Sequence, residues 1–280
     1  MGIQAFSDHN NYLDRMAESL AESTKSLIPL YIKGRKTILD VGCADGSMIV
    51  KLQTNDENAK IYGIDLCQES IDICKDKGLN VIKTDIDSFA SNTDLQFDAI
   101  IFSSVLHEIS SYANKNRYDV CHIEKALESA KRLLTDNGII IIRDGIGTGD
   151  TRFVDFKLKN TDDTRFVKEF MELPIVHWKR WSMTIVSKDE IKVNMSTRDF
   201  KEFCFTYTWG ENSWARESQE KFGILTLKEW LETVDKCGFR LKFVSTSSEQ
   251  YVERLREKIE CDRLEEILAE STITMILSKG

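Results

Sequence analysis

The sequence predicts an α/β protein built on a doubly wound, mostly parallel β-sheet. Short apolar runs alternate with helical patterns through the first half of the chain, and the connections between them are short. The runs at 97–103 and 139–145 are continuously apolar, which is typical of strands that helices cover on both faces. These observations together favour a parallel sheet with helices on either side.

The elements follow in a regular order. Residues 11–28 place apolar side chains at helical spacing and predict an amphipathic helix ahead of the sheet. Strands are predicted, with helices between them, at 37–41, 60–66, 80–86, 97–103 and 139–145. The alternation breaks after residue 145. It resumes with a helix, a strand, a charged segment of one or two surface helices and a last strand, at 226–238, 239–248, 249–270 and 271–280.

Composition narrows the classes of function. The 280 residues include 38 basic and 46 acidic side chains, and the net charge of −8 disfavours a broad surface for nucleic acid or anionic membrane. The seven cysteines form no Cys-x-x-Cys pair, so we expect neither a disulfide framework nor a metal site. The N-terminal residues lack a signal-peptide core and no run of 18 apolar residues occurs, so the expected location is the cytoplasm.

The stretch TILDVGCADG at 37–46 sets an acid and a glycine loop at the end of the first strand. A loop between a strand and a helix presents backbone N–H groups to an anion or a cofactor. The dinucleotide fingerprint would require glycine at positions 42, 44 and 47, whereas the chain has Gly42, Ala44 and Ser47, with its next glycine at Gly46. The spacing is therefore poor for a pyrophosphate loop.

These residues resemble motif I of the class I S-adenosylmethionine-dependent methyltransferases, with Ala44 in place of the middle glycine. Asp65 and Asp85 at the ends of strands two and three, and the segments FDAIIFSSVLHEI and RLLTDNGIIII, extend the resemblance over most of the chain. It implies a Rossmann-like doubly wound sheet of seven strands, mostly parallel with the last strand antiparallel. It also implies an N-terminal helical cap (1–36), a cofactor-binding core (37–145 and 224–280) and an inserted substrate lid (146–223).

The resemblance implies S-adenosylmethionine as the cofactor and gives roles to three acids. Asp40 would support the loop and the methionine ammonium, Asp65 would accept from the ribose hydroxyls, and Asp85 would accept from the adenine amine. The complete set of expected cofactor residues is Asp40, Gly42, Cys43, Ala44, Gly46, Asp65, Leu66, Asp85, Ile86, Ser103 and, toward the cofactor carboxylate, Arg15. A lone strand-end aspartate is more often a helix N-cap, but three acids beside one glycine loop favour a cofactor site.

The sequence pattern for the site that binds the methyl acceptor is weaker. Methyl transfer requires in-line placement, and it requires a base only where the acceptor loses a proton. His107, after the fourth strand, is the candidate base, while Glu108 and Asp144 fit helix caps or solvated acids equally well. Residues 146–223 carry 13 basic and 13 acidic residues and four of the five tryptophans. Within them the candidate acceptor-binding residues are Tyr207, Trp209 and Asn212, although these aromatic side chains could equally form the core of the lid or a dimer contact.

The sequence therefore predicts a methyltransferase that acts on an oxygen, nitrogen or carbon atom of a small molecule. We expect no membrane partner and no extended nucleic-acid surface, and a homodimer is an open alternative. Three other functions also stay open. They are an RNA or protein methyltransferase, an NAD-dependent oxidoreductase, and a non-catalytic protein that binds the cofactor.

Overall fold

The computed structural model describes residues 23–115, 117–176, 180–187, 190–248 and 250–280. They form two compact units. The first runs from the start of the described chain to Asp144 and includes Glu229–Ser245 and Ile273–Gly280. The second comprises Gly145–Lys228 and Thr246–Thr272. Arg15 and most of the helix expected over 11–28 lie outside the described residues.

The described residues contain eleven strands and twelve α-helices. The strands are β1 (Thr37–Val41), β2 (Lys60–Asp65), β3 (Val81–Lys83), β4 (Phe97–Ser103), β5 (Leu134–Gly145), β6 (Phe153–Leu158), β7 (Ser182–Ser187), β8 (Glu190–Ser196), β9 (Phe239–Ser247), β10 (Ile259–Glu260) and β11 (Thr272–Lys279). The helices are α1 (Ile28–Tyr31), α2 (Ser47–Asn55), α3 (Gln68–Asp76), α4 (Ile86–Ser91), α5 (Leu106–Ser111), α6 (Cys121–Leu133), α7 (Thr164–Glu172), α8 (Thr197–Tyr207), α9 (Glu211–Glu217), α10 (Leu227–Lys236), α11 (Tyr251–Arg256) and α12 (Leu264–Leu268). None of the described helices is both long and apolar enough to cross a bilayer.

The large sheet has seven strands in the order β3-β2-β1-β4-β5-β11-β9. β1 pairs in parallel with β2 and β4, and β4 pairs in parallel with β5. The last strand is antiparallel, so the predicted fold class is confirmed. Ile100 and Ile101 of β4 and Ile140 and Ile141 of β5 are completely buried, as their continuously apolar pattern predicts.

The third strand is shorter than the sequence predicts. It ends at Lys83 rather than near residue 86, because α4 begins at Ile86. The Asp85 carboxylate accepts a hydrogen bond from the Ser88 amide at 2.8 Å and so caps that helix. Since a helix N-cap has an extended backbone, a cap after a strand is hard to separate from the strand itself by pattern alone.

The second unit contains a four-stranded sheet in the order β10-β6-β8-β7, and its paired strands are antiparallel. This sheet occupies part of the segment in which the sequence shows no β–α alternation. The segment 249–270 forms α11 and α12 and also β10, which pairs with β6. It therefore belongs to the second unit, whereas the sequence boundaries place it with the core.

Candidate functional site

The glycine loop joins β1 to α2 and has a left-handed backbone at alternate residues. The φ angles of Gly42, Ala44 and Gly46 are 71°, 47° and 77°. A Cβ on Gly42 would lie 2.5 Å from Cγ2 of Val105, and one on Gly46 would lie 2.3 Å from Cδ1 of Leu79. Both positions therefore require glycine. Ala44 adopts a conformation that costs an L-residue roughly 1–2 kcal/mol.

Asp65, at the end of β2, is hydrogen-bonded to this loop. Its Oδ2 accepts from the Ala44 amide at 2.9 Å, and its Oδ1 accepts from the Cys67 amide at 2.8 Å. The structure thus brings the predicted ribose acceptor and the predicted loop together. Each oxygen of an ionised carboxylate has about two lone-pair sites, and a carboxylate is a suitable acceptor for a diol.

Asp40, in β1, is a buried acid with 3% of its surface exposed. Burial raises the pKa of this carboxyl to about 7; Lys25 opposes the rise, and Asp65 and Asp45 add to it. Lys25 is itself only 5% exposed and lies in the 3₁₀ turn Thr24–Leu27. Sequence reasoning missed Lys25, because nothing in the sequence indicates that this lysine is buried and acts on Asp40.

Asp85 uses both of its carboxylate oxygens in the cap of α4. Oδ1 accepts from the Ser88 amide and Oδ2 accepts from the Ser88 hydroxyl, at 2.8 and 2.7 Å. Burial favours a higher pKa for Asp85, but the hydrogen bonds outweigh it and the net pKa is lowered. Of the two apolar residues in the expected cofactor set, Leu66 is 51% exposed and Ile86 only 4%. Leu66 thus presents the more accessible face.

The ends of β4 and β5 carry a cluster of polar side chains. The buried Ser103 hydroxyl makes no hydrogen bond within the described part of the chain. Next to it, Arg143 donates from Nη1 to the Ser104 hydroxyl at 2.7 Å and from Nε to the Thr24 hydroxyl at 2.9 Å. Arg143 therefore links the turn that contains Lys25 to the end of β4.

His107 and Asp144 form a buried pair. Nδ1 of His107 lies 2.6 Å from Oδ1 of Asp144, and the two residues are 5% and 1% exposed. Oδ2 of Asp144 also accepts from the amides of Leu106 and His107, at 2.9 and 3.3 Å. One carboxylate at the end of β5 therefore fixes both the first turn of α5 and the orientation of the imidazole. Sequence reasoning named Asp144 as a cap or a solvated acid and did not predict this pairing.

The three candidate acceptor-binding residues lie in the second unit. Tyr207 is 2% exposed, donates from its hydroxyl to Asp163, and stacks on Phe203 with ring centroids 5.1 Å apart. Its contacts are those of a core residue of this unit. Trp209 packs edge-on against Tyr251 at 6.1 Å and is partly exposed, while Asn212 is exposed at the start of α9.

Comparison with known structures places this fold among methyltransferases. The plantazolicin methyltransferase BpumL in complex with S-adenosylhomocysteine is 16% identical, with a TM-score of 0.53 over 97% of this chain and 88% of that one. A SAM-dependent methyltransferase from Archaeoglobus fulgidus is 14% identical, with a TM-score of 0.51 over 95% and 94%. The O-methyltransferase NcsB1 from neocarzinostatin biosynthesis is 10% identical, with a TM-score of 0.51 over 95% and 56%. At these identities the likeness shows the fold.

A comparison with curated protein sequences found no significant match. A family model described as a methyltransferase domain matches residues 32–193, which is more than half of the chain. The matched region includes the glycine loop, the three strand-end acids and the His107–Asp144 pair. The chain therefore belongs to the methyltransferase-domain family, with S-adenosylmethionine as its cofactor.

Proposed function

We propose that this protein transfers the methyl group of S-adenosylmethionine to an oxygen atom of a small hydroxylated acceptor, with His107 as the general base. The observation that carries the proposal is the 2.6 Å contact between Nδ1 of His107 and Oδ1 of Asp144. A buried carboxylate on one imidazole nitrogen favours the tautomer that bears hydrogen there and leaves the other nitrogen as the basic one. It also stabilises the imidazolium that forms when the ring takes a proton.

The residues around the glycine loop fit the cofactor chemically. Asp40 offers a buried carboxyl to the methionine ammonium, Asp65 offers lone pairs to the ribose diol, and Asp85 offers them to the adenine amine. The buried Ser103 hydroxyl, without a hydrogen bond in the described chain, suits the polar methionine end. When bound, the cofactor supplies an electrophilic methyl group. The chain supplies orientation, and His107 removes the proton that a hydroxyl acceptor must lose.

Three features support a small-molecule acceptor. Residues 146–223 are formally neutral, which disfavours a groove for RNA. The BamL methyltransferase is described with a desmethyl-plantazolicin analog, and NcsB1 with 1,4-dihydroxy-2-naphthoic acid. We therefore propose hydroxylated aromatic natural products as the first acceptors to test.

The test is methyl transfer to a panel of hydroxylated aromatic compounds, followed by mass spectrometry of the product. We expect His107→Ala to lower kcat by roughly 10²–10⁴-fold, the usual contribution of a general base. Added imidazole should restore part of the activity of that variant. His122→Ala, at a second histidine of the first unit, is the matched control and should retain kcat.

Asp144→Asn tests the positioning role. Asparagine retains an oxygen that can accept from the amides of α5, so the fold should persist, while kcat should fall because the imidazole loses its anionic partner. If His107→Gln retains kcat within twofold on an acceptor that the parent protein methylates, His107 is not the base. If the product carries its new methyl group on nitrogen or carbon, the oxygen assignment is wrong.

A further inference from the structure

Helix α8 of the second unit carries three charged side chains that are almost fully buried. Asp199, Lys201 and Glu202 are 2%, 3% and 7% exposed. Burying a charge is costly unless the group is paired and hydrogen-bonded. Glu202 meets that condition, because it accepts from the amides of Phe222 and Gly223 at 2.6 and 2.9 Å.

Lys201 meets that condition less fully. Its Nζ donates to the carbonyl oxygen of Glu270 at 2.6 Å, which is its one hydrogen-bond acceptor within the described chain. An ammonium group has three N–H donors, so two of them are not matched there. Burial lowers the pKa of Lys201 to about 8, although Glu270 and Glu202 act in the opposite direction. By contrast, the partly buried Lys258 donates to two backbone carbonyls.

Lys201 lines a narrow pocket that lies wholly within the second unit. The other charged residues of its wall are Arg198, Lys221, Asp199 and Glu202, and the rest of the wall is two glycines, a threonine and an isoleucine. Three cations and two acids give the wall a formal charge of +1, which suits a monoanion. The two acids would repel a dianion such as sulfate, and the enclosed space of about 10 Å³ admits only the end of a small group.

We propose that this pocket binds one carboxylate group, with Lys201 as its principal cation. A carboxylate oxygen can accept from an N–H donor that Lys201 does not use within the described residues, and the single negative charge balances the wall. The carboxylate can belong to a free short acid or to a larger ligand. The proposal concerns the second unit and does not depend on the methyl-transfer chemistry of the first.

Thermal unfolding of the full chain tests this site directly. Sodium acetate, sodium benzoate, sodium sulfate and sodium chloride are compared at equal ionic strength. At about ten times its Kd, acetate should raise Tm by about 3–5 °C relative to chloride. If benzoate binds at least tenfold more tightly than acetate, the carboxylate belongs to a larger ligand. If acetate binds at least tenfold more tightly than benzoate, it belongs to a free short acid. Sulfate binding as tightly as acetate, or no shift with either carboxylate, overturns the proposal.

Variants separate binding from stability. Lys201→Met removes a buried charge, so its Tm without ligand should equal or exceed that of the parent protein, while its response to carboxylates disappears. Arg198→Gln, which leaves Lys201 in place, should weaken acetate binding at least threefold and serves if Lys201→Met does not fold. Lys192→Met, at an exposed lysine of the same unit, is the charge-matched control and should bind acetate normally. Retention of the acetate response in Lys201→Met contradicts the assignment.

Discussion

Cofactor affinity should fall as the pH drops below 7, because Asp40 must be ionised to bind an ammonium group. Burial raises the pKa of Asp40 to about 7, so this carboxyl is mostly protonated at pH 6 and mostly ionised at pH 7.5. If binding requires the ionised form, the apparent Kd scales with one plus the ratio of protonated to ionised Asp40. Between pH 7.5 and pH 6 the affinity should therefore weaken roughly eightfold, which is on the order of 1 kcal/mol.

The assay is isothermal titration calorimetry with S-adenosylhomocysteine at several pH values. Buffers with different ionisation enthalpies should also reveal proton release on binding below pH 7. Asp40→Asn is the control, since any titration of the ligand's own amine occurs with both proteins and cancels in the comparison. The variant should bind more weakly and lose most of the pH dependence.

Lys25 gives a second, independent perturbation. Because its ammonium holds the pKa of Asp40 down, Lys25→Met should move the loss of affinity to a higher pH. Lys33→Met, at an exposed lysine seven residues before Asp40 in the sequence, should leave the profile unchanged. An affinity that is independent of pH in the parent protein, or identical pH profiles in the parent protein and Asp40→Asn, would refute the reasoning.

Three further predictions concern stability and the loop. Since the folded pKa of Asp40 lies above its ordinary value of 3.8, the folded state holds the proton more tightly; stability should therefore decline from about pH 4 to pH 7. In urea unfolding, the difference in the free energy of unfolding between the parent protein and Asp40→Asn should change over this pH range by up to about 4 kcal/mol. Ala44→Gly should raise the free energy of unfolding by about 1 kcal/mol by removing the left-handed strain, whereas Gly46→Ala should lower it; a destabilised Ala44→Gly protein contradicts the strain argument. Asp85→Asn retains an N-cap and should unfold like the parent protein while binding cofactor more weakly, and unchanged calorimetric affinity would limit Asp85 to capping α4.

The large sheet could be predicted because its signals are local. The continuously apolar runs of β4 and β5 are visible in the sequence alone. So are the glycines of the left-handed turn after β1. Neither signal depends on which segments lie beside it in the fold. Lys25 and Asp144 could not be assigned in this way. Their roles arise from burial beside Asp40 and from contact with His107, both of which depend on how distant segments meet. A single sequence gives no measure of such proximity.

The second sheet was missed for a different reason. In β6, Val154 and Phe156 are buried and Asp155 between them is exposed, so the period-two pattern of a half-buried strand is present in the sequence. An antiparallel sheet has no β–α alternation, so that pattern does not reveal it. The short partner β10, with two residues, carries no periodic signal of its own and is defined by its pairing with β6.

The pairing of β6 with β10 has a consequence for synthesis of the chain. Leu158 pairs with Ile259, so about 100 more residues must be translated after β6 before its partner strand β10 exists. At typical elongation rates this interval is about 5–20 s, during which the outer edge of β6 presents unpaired amides and carbonyls. Nascent chains arrested before residue 259 should therefore associate with one another or with chaperones more readily than the released protein does.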